Sequence, residues 1–159
     1  MITCTFEKGH TTHLRHVVVH AIAEKDGKIL LVKRAPDLTE GGKWSLPSGF
    51  VDRDETCDES VVRELFEETG WEGNVTALFR IITNPKRRND ERQNIAFVYL
   101  IKPIAMTGEP DNESTDVTWA PIATLEKDYP ADTLAFDHGE TMSLYLRYRV
   151  KPFPLPLLA

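Results

Sequence analysis

Residues 49–71 have the sequence GFVDRDETCDESVVRELFEETGW, and this stretch decides the fold. Thr56 and Glu59 are spaced as a capping box, in which each side chain satisfies a free backbone N–H group at the start of a helix. Gly70 can end that helix, because glycine readily takes the left-handed conformation of a C-terminal cap. The stretch therefore predicts one helix between Thr56 and Gly70.

The predicted helix has an acidic face. At about 100° per residue, Glu67 lies about 60° to one side of Glu64 and Glu68 about 40° to the other, and no lysine lies among them. Carboxylate oxygens that converge on one spot suit Mg²⁺ or Mn²⁺, whereas a solvated surface helix is the ordinary alternative. A separate apolar face is predicted from Val62, Leu65 and Phe66.

The spacing of the stretch resembles a family signature. Gly49 is followed by five residues, Glu55, seven residues and then RELFEETGW at 63–71, which resembles the Nudix box at every fixed position. Ser48 stands where a second glycine is common, and Trp71 is bulkier than the usual aliphatic residue. Ser48 keeps its backbone carbonyl and Trp71 stays apolar, so the resemblance implies an enzyme that cleaves pyrophosphate bonds.

The resemblance also implies that Mg²⁺ (or Mn²⁺) is the cofactor. Glu67 and Glu68 would be the principal metal ligands, and the carbonyl of Ser48 a further one. Nudix enzymes often recruit another acidic residue from a loop outside the helix; Glu113 is the candidate, with a solvated loop carboxylate as the alternative. A cation that bridges two phosphates neutralises the charge that develops in the transfer.

The remaining charged residues of the box have implied catalytic roles. Glu64 would bind the metal or act as the general base toward the attacking water. Arg63 lies one helical turn before Glu67 and next to it on the helix surface. It would orient the glutamates, with Glu55 as its partner.

Length and composition fit one ordinary globular domain of 159 residues, with 41% hydrophobic and 28% charged residues. No apolar run approaches the ~18 residues of a membrane span, and the first residues lack the apolar core of a secretory signal. We therefore expect a cytoplasmic protein. Residues 1–159 are expected to form a single Nudix domain, with an N-terminal extension at 1–13 and a Pro-rich tail at 151–159.

The net charge of −6 makes nucleic acid an unlikely partner, because nucleic-acid binding needs many cations to neutralise phosphates. A small phosphorylated substrate remains compatible with this charge, because bound metal ions reverse the local sign. Nudix proteins often form dimers, so the resemblance also implies a homodimer.

The rest of the chain predicts strands around two helices. Residues 16–23 and 28–34 are rich in branched aliphatic residues and flank Asp26-Gly27, which is typical of a tight hairpin. A mixed sheet covered on both faces is favoured, and the resemblance implies a Nudix-type α/β/α sandwich. The other predicted elements are a loop at 35–43, strands at 75–83, 94–104 and 117–120, and a helix at 135–150.

Candidate substrate contacts lie outside the Nudix box. The loop at 84–93 concentrates four cations, among them Arg88 and Arg92, which could clamp phosphates or a terminal ribose or form a solvated hairpin tip. Arg34, at the end of a strand, could contact a phosphate or form a surface ion pair. His16 and His20 would lie about 13 Å apart on a strand and are expected to be structural or surface residues.

Two features favour ADP-ribose or another ADP-linked compound as the substrate. Pro85 lies close to where ADP-ribose pyrophosphatases commonly have a proline. Residues 132–138 resemble a stretch of ADP-ribose-directed Nudix proteins, which makes His138 a candidate substrate contact. The alternatives are a pyrophosphatase that removes oxidised nucleoside triphosphates, an RNA-cap pyrophosphohydrolase and a non-catalytic nucleotide-sensing module.

Overall fold

The computed structural model describes residues 2–87 and 93–159. The elements are β1 (Ile2–Thr5), β2 (Thr11–Leu14), β3 (Val17–Lys25), β4 (Lys28–Arg34), β5 (Trp44–Ser45), β6 (Ser48–Phe50), α1 (Cys57–Thr69), β7 (Trp71–Ile82), β8 (Ile95–Met106), β9 (Ser114–Pro121), α2 (Leu125–Asp128), α3 (His138–Val150) and β10 (Leu157–Leu158). In these ranges no helix has the length and apolar character needed to cross a membrane.

The main sheet is mixed and is covered on both faces. Its strands lie in the order β10-β7-β8-β3-β4-β5, with β6 paired to β3 and β9 paired to β4. β3 runs parallel to β8 and antiparallel to β4. Successive strand side chains point to opposite faces, so Val19 belongs to the buried cluster that includes Leu65 of α1, whereas Val18 belongs to the one that includes Met142 of α3. The predicted α/β/α sandwich is confirmed.

Among the described residues, β3 and β4 pair only beside the turn that joins them. Asp26 and Gly27 form that turn with φ values of 51° and 70°, the positive values of a tight hairpin, as predicted. Farther from the turn, β6 pairs with β3 and β5 pairs with β4. Residues 44–50 therefore cross between the two strands, and the candidate site lies beside this crossing.

Helix α1 begins and ends as predicted. Thr56 accepts a hydrogen bond from the backbone N–H of Glu59, and the Glu59 carboxylate accepts one from the backbone N–H of Thr56. Gly70 has a φ of 71° and caps the C-terminus in the left-handed conformation. The capping box and the glycine stop are both confirmed.

The buried face of α1 differs from the prediction. Val61 and Leu65 are fully buried, whereas Phe66 is 39% exposed and Val62 is half-buried. Val61 lies between Glu68 and Leu65 around the helix axis, so the face that packs on the sheet borders the acidic face. Glu68 is buried with them for this reason.

Both ends of the chain form strands. β1 and β2 make a separate two-stranded antiparallel sheet in the region predicted as an extension. β10 adds to the main sheet in parallel with β7, so the Pro-rich tail packs on its own chain. α3 begins three residues later than predicted, because Phe136 has a φ of 59° and cannot belong to a right-handed helix.

Candidate active site

Arg63 contacts three of the carboxylates around α1. Its guanidinium forms a bidentate pair with Glu55, at 2.7 Å from Nη2 to Oε1 and 3.0 Å from Nε to Oε2. Its Nη1 atom donates to Glu64 at 2.9 Å and to Glu67 at 2.8 Å. The hydrogen bonds of Arg63 are the largest cause that lowers the pKa of Glu55 to about 2. Charge-assisted pairs of this kind fix side-chain geometry.

Glu68 is the buried carboxylate of α1, with 3% of its surface exposed. The backbone N–H of Ser48 donates to its Oε2 atom at 2.8 Å. Burial raises the pKa of Glu68 well above its usual range, and the charge of Arg34 opposes that rise. Ionisation of a buried carboxylate is unfavourable without a compensating charge, so this position favours a bound cation.

The carboxylate of Glu64 lies directly over Gly49. A Cβ atom at position 49 would lie 2.0 to 2.2 Å from the three carboxyl atoms, far inside van der Waals contact. Glycine is therefore required for this approach. Burial is the largest cause that raises the pKa of Glu64 to about 7, against the opposing effect of Arg63.

The loop before β9 brings two further carboxylates to α1. The backbone N–H of Asp111 donates to the Glu67 carbonyl at 2.8 Å, and Oδ1 of Asp111 accepts the backbone N–H of Glu113 at 2.9 Å. The charge of Glu113 contributes to the raised pKa of Glu64, and the charge of Asp111 to that of Glu68. Asp111 was not predicted as a site residue. Aspartate side chains often accept a hydrogen bond from the backbone N–H two residues later, so its position before Glu113 could have indicated this turn.

The predicted metal ligands are neighbours but do not converge. In the part of the chain that the structure describes, no three acidic, histidine or cysteine side chains come close enough together to hold a metal ion. Glu64 and Glu67 each accept a hydrogen bond from Nη1 of Arg63. Like charges also repel one another, so closer approach needs a compensating cation.

A cavity of about 300 Å³ opens beside these carboxylates. It lies between the diverging ends of β3 and β4 and receives residues from distant parts of the chain. Its wall includes Val18, Arg34, Gly49, Asn94, Glu113 and His138. The cavity and the acidic face thus share the backbone around Gly49.

His138 is fully buried in the cavity wall. Its Nδ1 atom accepts the backbone N–H of Leu46 at 3.0 Å, and its ring packs edge-to-face against His20 with centroids 4.4 Å apart. Burial lowers the pKa of His138 well below its usual range, so the ring is neutral. Asp137 forms a buried pair with Arg87 at 2.9 Å, which joins the segment after β7 to the residue before His138.

Arg34 also lies in the cavity wall. Its guanidinium lies over the Phe136 ring, 4.9 Å from the centroid, and its Nε atom donates to the Thr39 carbonyl at 2.9 Å. Arg34 is therefore oriented toward the same space as His138. Arg88 and Arg92, the other predicted substrate contacts, lie outside the described residues.

A family model of the NUDIX domain matches residues 12–145. The chain belongs to the Nudix family. It is a Nudix pyrophosphohydrolase. It is similar to an ADP-ribose pyrophosphatase of Methanocaldococcus jannaschii, with 35% identity over 134 residues that cover 84% of this chain and 74% of that protein. A MutT-like protein of Streptomyces ambofaciens is 33% identical over 102 residues, which cover 64% of this chain and 60% of that protein.

Solved Nudix structures have the same fold. A NUDIX hydrolase from Nitrosomonas europaea superposes with a TM-score of 0.79 at 25% identity, covering 96% of this chain and 82% of that chain. The NUDIX domain of Shewanella oneidensis NrtR, complexed with ADP ribose, superposes with a TM-score of 0.72 at 26% identity, covering 88% of this chain and 91% of that chain. Nudix hydrolases generally use divalent metals such as Mg²⁺.

Sequence reasoning missed several residues next to the Nudix box. His20, Asn94 and Phe136 line the cavity but were not site candidates, although Phe136 lies within the stretch at 132–138 that made His138 one. The contact between His20 and His138 joins β3 to α3, so only the folded sheet brings the two rings together.

Proposed function

We propose that this Nudix hydrolase uses water to cleave the pyrophosphate bond of ADP-ribose, or of another ADP-linked compound. The products would be AMP and the phosphate ester of the other moiety. The observation that most supports this proposal is the cavity, whose wall includes Ser48, Gly49 and Glu113 beside the carboxylate of Glu64. Support for the substrate comes from the archaeal relative that is named an ADP-ribose pyrophosphatase and from the S. oneidensis domain complexed with ADP ribose.

The donor set around α1 fits Mg²⁺ or Mn²⁺, because it consists of hard oxygen atoms. Glu67 and Glu68 would be the principal ligands, together with the carbonyl of Ser48, and Glu64 and Glu113 would be further ones. When bound, the cation would neutralise charge that develops on the phosphoryl group. The buried carboxylate of Glu68 supports this assignment, since the hydrogen bond that it accepts comes from the neutral backbone N–H of Ser48.

Glu64 is the proposed general base if it does not bind the cation. Its burial holds its pKa near 7, where a carboxylate can accept a proton from water at neutral pH. Arg63 and Glu55 would position it rather than react. Their bidentate pair fixes the guanidinium, whose Nη1 atom then contacts Glu64 at 2.9 Å.

Two of the proposed substrate contacts, Arg34 and His138, line the cavity beside Gly49. Arg34 would contact a phosphate, because its guanidinium faces the cavity and its charge acts on Glu68. His138 would contact the nucleoside half of the substrate. Arg88 and Arg92 would contact phosphates or the terminal ribose, a role that follows from the charge of their loop alone.

A second candidate function is the removal of oxidised or non-standard nucleoside triphosphates. A CTP pyrophosphohydrolase of Escherichia coli is 47% identical to this chain over 58 residues, 36% of this chain and 43% of that protein. This match is short, whereas the archaeal ADP-ribose pyrophosphatase matches over 134 residues. The longer match favours the ADP-linked substrate.

We also propose the cellular setting that this activity implies. Residues 1–159 would act as one Nudix unit in the cytoplasm, on a small nucleotide rather than on nucleic acid or at a membrane. The unit would form a homodimer, as Nudix proteins often do. Size-exclusion chromatography with light scattering tests the dimer directly.

A panel of substrates tests the proposed function. Purified protein is incubated with Mg²⁺ or Mn²⁺ and with ADP-ribose, other ADP-linked compounds and nucleoside triphosphates, and the products are separated by anion-exchange chromatography. We expect ADP-ribose to yield equal amounts of AMP and ribose 5-phosphate at the highest kcat/KM. Micromolar binding of ADP-ribose without turnover of any compound would contradict the proposal and indicate a sensing module.

A further inference from the structure

Nε2 of His138 and Oδ1 of Asn94 are buried polar atoms in the cavity wall that have no hydrogen-bond partner among residues 2–87 and 93–159. Both residues line the cavity, and His138 is 0% and Asn94 7% exposed. Buried polar groups in proteins are nearly always hydrogen-bonded, because an unpaired group has lost its bonds to water. Two such atoms in one wall indicate a ligand that completes their hydrogen bonds.

The hydrogen-bond character of Nε2 of His138 follows from its contacts, and that of Oδ1 of Asn94 from the chemistry of an amide oxygen. His138 accepts the backbone N–H of Leu46 at Nδ1, and burial lowers the pKa of His138, so the single proton of the neutral ring is on Nε2. Nε2 is therefore a donor, whereas Oδ1 of Asn94 is an acceptor. These two atoms therefore offer a ligand one donor and one acceptor.

The two atoms lie toward opposite ends of the cavity. Asn94 precedes β8, whose first residue pairs beside the start of β3 near His16, whereas the His138 ring contacts His20. From His16 to His20, a strand extends about 13 Å at its ordinary rise. Val18 lies between them on the same face and is 7% exposed. Val18 therefore lies between the Asn94 end and the His138 end of the cavity wall along β3.

We propose that His138 and Asn94 are specificity-determining residues that hydrogen-bond the two ends of the substrate's nucleoside half, which lies along β3 over Val18. The inference rests on the proposed function and assigns its nucleoside subsite. A nucleoside has an apolar base face and polar atoms at both ends, which matches this wall. A cavity of about 300 Å³ is at the lower limit for small-molecule sites, so it suits half of an ADP-linked substrate.

Paired variants of His138 separate substrate contact from folding. His138→Asn places an amide oxygen near the position of Nδ1, so it retains an acceptor for Leu46 and removes the Nε2 donor. His138→Gln extends an amide nitrogen toward the position of Nε2 and removes the acceptor for Leu46. At the other end, Asn94→Leu removes the acceptor, whereas Asn94→Asp retains one.

Titration of the protein with AMP and with ribose 5-phosphate in Mg²⁺ tests the subsite without requiring turnover. Loss of one neutral hydrogen bond weakens binding about 10-fold. We expect H138N and N94L each to raise the Kd of AMP about 10-fold and to leave the Kd of ribose 5-phosphate unchanged. H138Q should bind AMP better than H138N but unfold at a lower temperature, because it lacks the acceptor for Leu46.

Three results would overturn the inference. They are no binding of AMP by the unsubstituted protein, an unchanged Kd of AMP in H138N and N94L, and weakened binding of ribose 5-phosphate instead of AMP. The last result would place the terminal ribose in the cavity. Weakened AMP binding by a protein that does not hydrolyse ADP-ribose would support the nucleoside subsite while refuting the proposed function.

Discussion

The acidic face of α1 and the cavity beside it are built in different ways. The carboxylates and their arginine lie between Glu55 and Glu68, so helix caps and short-range contacts fix their relative positions. The cavity wall extends in sequence from Val18 to His138 and requires the sheet, the crossing at residues 44–50 and the start of α3. In this Nudix hydrolase, the groups proposed for bond cleavage depend on local spacing, and the groups proposed for specificity depend on tertiary assembly.

Substitution of Glu68 tests the acidic face of α1 and has the largest expected effect, which is on kcat/KM. Glu68→Gln keeps the size of the side chain and an acceptor for Ser48, but it removes the charge proposed to hold a cation. We expect kcat/KM for ADP-ribose with Mg²⁺ to fall at least about 100-fold, with little change in the unfolding temperature. Glu126→Gln, at an exposed position of α2, is the control. Activity of E68Q close to that of the unsubstituted protein would refute the assigned metal site.

Substitution of Gly49 tests the point at which the two regions meet. In Gly49→Ala the new Cβ would lie 2.0 Å from the Glu64 carboxyl carbon, so this side chain must move. A displacement of about 1 Å in an active site can lower turnover about 100-fold, so we expect a fall of about 10- to 100-fold in kcat. Ser48→Ala keeps the backbone N–H that Glu68 accepts, and its kcat should stay near normal. Equal activity of G49A and S48A would contradict the steric account.

Removal of Arg87 tests the assembly of the cavity wall. Arg87→Met leaves the buried carboxylate of Asp137 without its 2.9 Å partner. We expect the free energy of unfolding to fall by about 2 kcal/mol in urea denaturation, because a buried charged group loses its hydrogen-bond partner. The double variant R87M/D137N should recover part of this loss. A single variant as stable as the unsubstituted protein would show that the pair does not hold the wall together.

The pH dependence of stability gives the smallest expected effect. The folded pKa of His138 lies below the unfolded value of about 6.5, so between these values only the unfolded chain binds the proton. The free energy of unfolding therefore falls as the pH decreases below about 6.5, by up to about 1.4 kcal/mol per pH unit from this group. His138→Asn removes the group. The difference in the free energy of unfolding between the two proteins should therefore become smaller as the pH decreases. A difference that does not change with pH would contradict the lowered pKa of His138.

The sequence predicted elements wherever a local signal fixes the backbone. Asp26-Gly27 and the Thr56–Glu59 capping box are such signals, and both structures form as predicted. β7 was predicted to begin at Val75 but begins at Trp71, because pairing with β8 outweighs the low strand propensity of Gly73 and Asn74. Strand pairing is a tertiary effect that local composition does not encode.

In the candidate site, too, local sequence predicted some features and tertiary packing determined others. The spacing of Glu64, Glu67 and Glu68 predicted that they are neighbours on α1, because they lie within two turns of one helix. The buried position of Glu68 was not predicted, because it depends on which face of α1 packs on the sheet. The wall residue His138 accepts a hydrogen bond from Leu46 across 92 residues of sequence, and no local pattern predicts such a contact.

The proposed metal site and nucleoside subsite are separate, and the most direct test of this separation is calorimetry. The unsubstituted protein, E68Q and H138N are each titrated with Mn²⁺ and then with AMP. We predict that E68Q loses Mn²⁺ binding, and that H138N keeps the normal Kd for Mn²⁺ but binds AMP about 10-fold more weakly. Normal Mn²⁺ binding by E68Q, or loss of Mn²⁺ binding by H138N, would contradict the separation of the metal site from the nucleoside subsite.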